Sequence, residues 1–70
     1  MISEKDFMEK MKVLLDNDNV TSNTVFSDLE EWDSVSVLGY VSIALECGKK
    51  IDVKHIKDCV TFSDLYALLN

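Results

Sequence analysis

Apolar positions along the chain recur at helical rather than strand spacing. Phe7, Met8, Met11, Leu14 and Leu15 make one stripe, with Lys5, Glu9, Lys10 and Lys12 mostly on the opposite face. Ser3 opens this segment and Asp6 follows three residues later, a variant of the capping-box pattern. The run Asp16-Asn17-Asp18-Asn19 is a cluster of breakers and closes it. Residues 20–32 carry no period. Val25, Phe26, Leu29 and Trp32 are the side chains available to pin so long a loop to a core.

A second helix is expected from the cap Asp33 to about Cys47. Its apolar residues, Val35, Val37, Leu38, Tyr40, Val41, Ile43, Ala44 and Leu45, cover more than one stripe. Such a helix needs burial on most sides or a partner to cover the remainder. Gly48 suits the position just past its end, and Lys49 and Lys50 follow where the helix dipole favours cations. A short element of one or two turns is expected at residues 53–57. Thr61 caps a last helix with Asp64 at its third position, and Phe62, Leu65, Leu68 and Leu69 form the apolar face. The fold class expected is therefore all-α: a small four-helix bundle with a long loop between helices 1 and 2 and a short helix 3.

Length confines this pattern to one domain over residues 1–70. A chain so short buries only about 60% of its unfolded surface, which leaves little material for a deep cleft. No stretch approaches the roughly 18 consecutive apolar residues of a membrane span, and the start of the chain lacks the pattern of a signal peptide. Cys47 and Cys59 fit no metal or redox spacing and are read as free thiols, in keeping with a cytoplasmic protein.

Charge sharpens the picture, because the net −6 is unevenly spread. Residues 13–48 contain Asp16, Asp18, Asp28, Glu30, Glu31, Asp33 and Glu46 but no lysine, and the chain has no arginine. All seven lysines lie outside that segment, against six acids. Nucleic acid is a poor partner for such a surface, since phosphate binding needs clustered positive charge. A basic protein surface is the natural complement.

Few residues carry candidate chemistry. The run from Asp16 begins like a calcium loop but fails at Val20, Thr21 and Ser27, where an oxygen ligand, a glycine and a closing glutamate belong. His55 is the only histidine and has neither a metal-ligand set nor a nucleophile elbow near Ser34. Ser34 itself combines the first turn of a helix, an adjacent aspartate cap and an acidic approach, Ser27-Asp28-Leu29-Glu30-Glu31. Helix N-termini favour anions, so a phosphate ester is physically admissible there. Ser36 is expected one turn further into the helix, and Ser42 well inside it. Gly39, costing about 1 kcal/mol relative to alanine inside a helix, is expected to mark the close approach of a partner or ligand.

The run Trp32-Asp33-Ser34-Val35-Ser36-Val37-Leu38 resembles the Asp-Ser-Leu attachment motif of acyl carrier proteins and related phosphopantetheine carriers. The likeness extends to the first helix, the long loop, Ala44-Leu45-Glu46, an Ile51-Asp52-Val53 segment like that family's strand-like link, and Thr61-Phe62-Ser63-Asp64-Leu65. It implies a four-helix bundle of acyl-carrier type, not an enzyme, acting as a monomer. Ser34 would carry 4′-phosphopantetheine, attached from coenzyme A by a magnesium-using phosphopantetheinyl transferase, and the arm's thiol would hold acyl or aminoacyl thioesters. It further implies that loading and transferring enzymes dock by basic surfaces on Glu30, Glu31, Val35, Leu38, Gly39, Ser42 and Glu46. Val35 replaces the family's leucine, only Glu46 is acidic along the motif helix, and one extra residue precedes Ala44-Leu45-Glu46. Those departures point away from the central fatty-acid carrier and toward a specialised biosynthetic pathway. The alternative is a carrier-like interaction module that is never modified.

Overall fold

The computed structural model describes residues 2–69, and within them α-helices and turns make the whole architecture. Helix α1 spans Glu4–Leu15, α2 Ser34–Glu46, α3 Val53–Lys57 and α4 Phe62–Ala67, with a 3-10 turn at Phe26–Asp28 inside the long loop. Among the described residues there is no strand, only an isolated antiparallel bridge between Val25 and Thr61. The 51–53 link is accordingly not a strand, although Asp52 is extended.

Each helix boundary has a local chemical cause. Ser3 Oγ accepts the Asp6 N–H at 3.1 Å, and Glu4 and Asp6 put negative charge at the positive end of α1. The other end is closed by Asp16 in the left-handed region, φ 52°, with the Asn17 N–H reaching back to Lys12 O at 3.1 Å. Gly48, φ 80°, does the same for α2, where Gly48 and Lys49 donate to Leu45 O and Ala44 O. The start of α1 and the ends of α1 and α2 are thus satisfied from within the chain.

The long loop is fixed by the start of α4. Phe62 N–H donates to Thr24 O (3.3 Å) and Ser63 N–H to Ser22 O (2.8 Å), while Phe26 N–H donates back to Val60 O (3.3 Å). Two first-turn donors that a helix leaves without internal partners are thereby consumed by loop carbonyls. The Asp64 carboxylate takes the N–H groups of Val60 and Thr61, and those backbone bonds hold its pKa below the ordinary carboxylate value. Phe26 is buried, and half-buried Trp32 packs on it and on Phe62, with ring centroids 4.6 and 6.2 Å apart. Of the four side chains expected to pin the loop, Phe26 is in the core and Leu29 and Trp32 pack against it, while Val25 contributes its backbone bridge to Thr61.

Between these elements lies a core of Phe7, Met11, Tyr40, Phe62 and Leu65, all fully buried. Complete burial of such side chains contributes roughly 1.5–3 kcal/mol each. Tyr40 is the polar member. Its hydroxyl donates to Leu65 O at 2.7 Å, a carbonyl near the end of α4 that has no other donor among the described residues, and its ring meets Phe7 edge-on at 6.2 Å. Burial pushes the phenol well above its ordinary pKa, with Cys59 and Cys47 adding to the shift. The one ion pair within 4.0 Å among the described residues, Lys10 with Glu46, is exposed and adds at most about 1 kcal/mol to the α1–α2 contact.

Gly39 has a close neighbour within the chain. A Cβ on Gly39 would lie 2.4 Å from Leu14 Cδ1 and 2.9 Å from Leu14 Cδ2. The glycine is there so that α1 and α2 can close on each other. Helix propensity alone makes Gly39→Ala stabilising by about 1 kcal/mol. We expect no gain, or a loss, in the native background and recovery of the gain in Leu14→Ala, measured as a denaturant double-mutant cycle. Tyr40→Phe should cost roughly 1–3 kcal/mol, because it leaves a buried carbonyl without a donor. That corresponds to a melting-point drop of about 4 °C or more by circular dichroism.

Candidate functional site at the start of helix 2

The start of α2 is built by three residues in succession. Asp33 is the N-cap, extended in backbone, and its Oδ1 accepts the Ser36 N–H at 3.0 Å. Ser34 follows as the first helical residue and is exposed. Ser36, two residues on, is buried. Its hydroxyl lies 2.9 Å from Glu31 O and 3.3 Å from Asp33 Oδ1, tying the acidic loop to the helix. Ser36 therefore belongs to the first turn of α2 and not, as its position in the sequence suggests, to a turn further on. Asn17 completes the support by donating through Nδ2 to Glu31 Oε2 at 2.6 Å, which joins the end of α1 to the same loop.

Ser34 is left available by this arrangement. Among the described residues its hydroxyl has no hydrogen-bond partner, and neither its N–H nor that of Val35 has an acceptor outside the helix. The first N–H groups of a helix have none within it. Two backbone donors and the positive end of a 13-residue helix are thus open beside an exposed hydroxyl. Such groups favour an anion at this position, while neighbouring Asp33 opposes one. The start of α2 can carry an anion even though the loop before it is acidic.

The rest of α2 presents an apolar face to solvent. Val35 is 68% exposed, Leu38 66% and Leu45 56%, and Ser42 is exposed between them, so 35, 38, 42 and 45 form one helical stripe. Glu30, Glu31 and Glu46 lie exposed at its two ends. Of the residues expected to meet partners, the structure brings six to the surface. Gly39 differs: it is half-buried against Leu14. The inward row is Ser36, Tyr40 and Ala44, spaced four apart. Beside the stripe, Leu38, Val41, Lys50, Ile51, Asp52 and Val53 line an open groove of about 450 Å³ between α2 and α3.

Other candidate chemistry is used elsewhere or disperses. His55 lines a small hollow with Lys49, Lys50, Ile51 and Leu68, and Ser34 is not among its neighbours there. Its Nδ1 accepts the Asp52 N–H at 3.1 Å. Both cysteines are free and half-buried. The Cys59 thiol is pushed up in pKa by burial and then by Asp64 and Asp58, so it stays protonated at neutral pH. Among the described residues no group of three or more His, Cys, Asp or Glu stands close enough to hold a metal ion, and no helix is long and apolar enough to cross a membrane.

Comparison of the chain with family models, with curated proteins and with solved structures returned no match.

Sequence reasoning identified the cap and the exposed serine but missed Ser36 as the tie between loop and helix. The available signal was the Asp-x-x-Ser spacing, which sets the serine at the third helical position where a capping partner stands. Asp33→Ala should destabilise by about 1 kcal/mol through loss of the cap. Ser36→Ala should cost a similar amount through its lost hydrogen bonds. Urea titration of the two single variants and the double checks this; shared use of Asp33 Oδ1 predicts a double-variant loss smaller than the sum.

Proposed function

We propose that this chain is a stand-alone carrier of acyl-carrier-protein type, with 4′-phosphopantetheine attached through a phosphodiester to Ser34. The observation that carries this reading is the exposed, unpartnered Ser34 hydroxyl on the first residue of α2, fixed by the Asp33 cap and flanked by two open backbone N–H groups. The four-helix order, the long loop and the Trp32-Asp33-Ser34 motif support it.

When bound, the arm supplies a terminal thiol on which acyl or aminoacyl groups travel as thioesters. The chain's own contribution is to hold the attachment point still and to present a docking face. Asp33 and Ser36 fix the start of α2. Val35, Leu38 and Ser42 offer the face, and Glu30, Glu31 and Glu46 steer basic enzyme surfaces toward it. Carrying, not catalysis, is the role, exercised in the cytoplasm by a monomer within a specialised biosynthetic pathway. The near absence of acids along α2 favours partners that grip apolar side chains over partners that count charges. The same exposed stripe also suits the second reading, a module that binds enzymes without carrying cargo.

Co-expression with a broad-specificity phosphopantetheinyl transferase should add one phosphopantetheine to the intact mass. Ser34→Ala should abolish the addition while leaving the fold unchanged, since the side chain is exposed. An unchanged mass with several transferases, together with enzyme binding that survives Ser34→Ala, would favour the module.

A further inference from the structure

The segment that delivers the chain into α2, residues 30–32, has little backbone bonding of its own. Among the described residues its main chain makes two hydrogen bonds. Trp32 N–H donates to Leu29 O at 3.2 Å, which is local. Glu31 O accepts the Ser36 hydroxyl at 2.9 Å, and this bond alone reaches the helix. The Asn17 bond to the Glu31 carboxylate is exposed, so water can take its place. Ser36 is only 4% exposed, so its hydroxyl has no solvent to turn to and is spent on Glu31 O. From the other side the Trp32 ring is seated on the core, 4.6 Å from Phe26 and 6.2 Å from Phe62. Glu31 is thus held between a buried hydroxyl on α2 and an anchored ring, which sets where Glu30 and Glu31 stand relative to Ser34.

The two bonds of Ser36 do separate jobs. Its N–H, on Asp33 Oδ1 at 3.0 Å, caps the helix and belongs to the backbone, so it survives loss of the side chain. Its hydroxyl serves the loop and does not survive. Ser36→Ala therefore leaves Ser34 at the start of a capped α2 and unfastens only the acidic approach. A partner that reads Ser34 together with Glu30 and Glu31 must then order the segment itself. That ordering cost falls on binding.

Resting on the carrier reading above, we infer that Ser36 is a positioning residue for loading: through Glu31 it holds the acidic approach in the arrangement that the phosphopantetheinyl transferase binds. It acts on recognition and not on the transfer step, because Ser34 and its cap stay as they are.

Steady-state loading of the full chain by a broad-specificity phosphopantetheinyl transferase, with coenzyme A saturating, tests this. Ser36→Ala should raise the KM for the chain several-fold and leave kcat nearly unchanged, the signature of lost binding. Tyr66→Phe is the control for stability alone. It removes a half-buried hydroxyl bond to Ile2 O, 2.9 Å long, without touching residues 30–36, and should keep both native constants. Acrylamide quenching of Trp32, the only tryptophan, reads the same segment with no enzyme present. Quenching should increase in Ser36→Ala and stay native in Tyr66→Phe. A native KM in Ser36→Ala would overturn the inference and leave the carrier reading standing. So would a fall in kcat at unchanged KM, unchanged quenching, or loss of the helical circular dichroism spectrum in Ser36→Ala, which would make the hydroxyl a requirement of the fold. Failure of several transferases to load the native chain would overturn the carrier reading and this inference with it.

Discussion

The rotation of α2 about its own axis decides what this molecule shows to the outside, and it is set by the buried Tyr40. The helix is apolar nearly all round, so hydrophobic burial alone would accept several orientations of it. A tyrosine in the core accepts fewer, because its hydroxyl must find a partner. It finds Leu65 O at 2.7 Å, near the end of α4. That bond sends Ser36, Tyr40 and Ala44 inward and leaves Ser34, Val35, Leu38, Ser42 and Leu45 outward. The less apolar row is the buried one, and the cost in hydrophobic burial is met by polar satisfaction and close packing.

Two neighbours of Tyr40 reinforce the choice. Gly39 admits Leu14 so that α1 can approach, and Ser36 reaches the loop through Glu31 O. Any substantial rotation of α2 would bury Val35 or Leu38, drive a side chain into Leu14 and strand two hydroxyls. The exposed apolar stripe is therefore built into the fold. An uncovered surface of this kind on a small chain is a reason to expect a partner, and the acids at its two ends give that partner a sign of charge.

What could be read from the sequence follows the range of the interactions involved. Ser3, Asp33 and Thr61 were legible as caps because a cap is chemistry between neighbours, and the bounds of α3 and the turn at Gly48 were legible for the same reason. The stripe of α1 was legible because its polar side is charged. The inward face of α2 was not, since its periodicity is blurred by valine and leucine on every side; only the distant Leu65 carbonyl and Leu14 side chain break the tie. The bonds from Phe62 and Ser63 to Thr24 and Ser22 are backbone to backbone across the fold and leave no mark on residue type. Gly39 stands out in the sequence, but a glycine announces closeness without saying to what, and its Leu14 neighbour is visible only in the fold.

On the proposed reading, the fold holds Ser34 outward as the attachment point of a phosphopantetheine arm. The most direct measurement is the intact mass of the chain isolated from its native host, with the modified peptide mapped and any thioester-bound group released. Attachment at Ser34 makes the chain heavier by one phosphopantetheine, located on the peptide that contains Ser34. A native chain of unmodified mass, or one modified at a different serine, would contradict it.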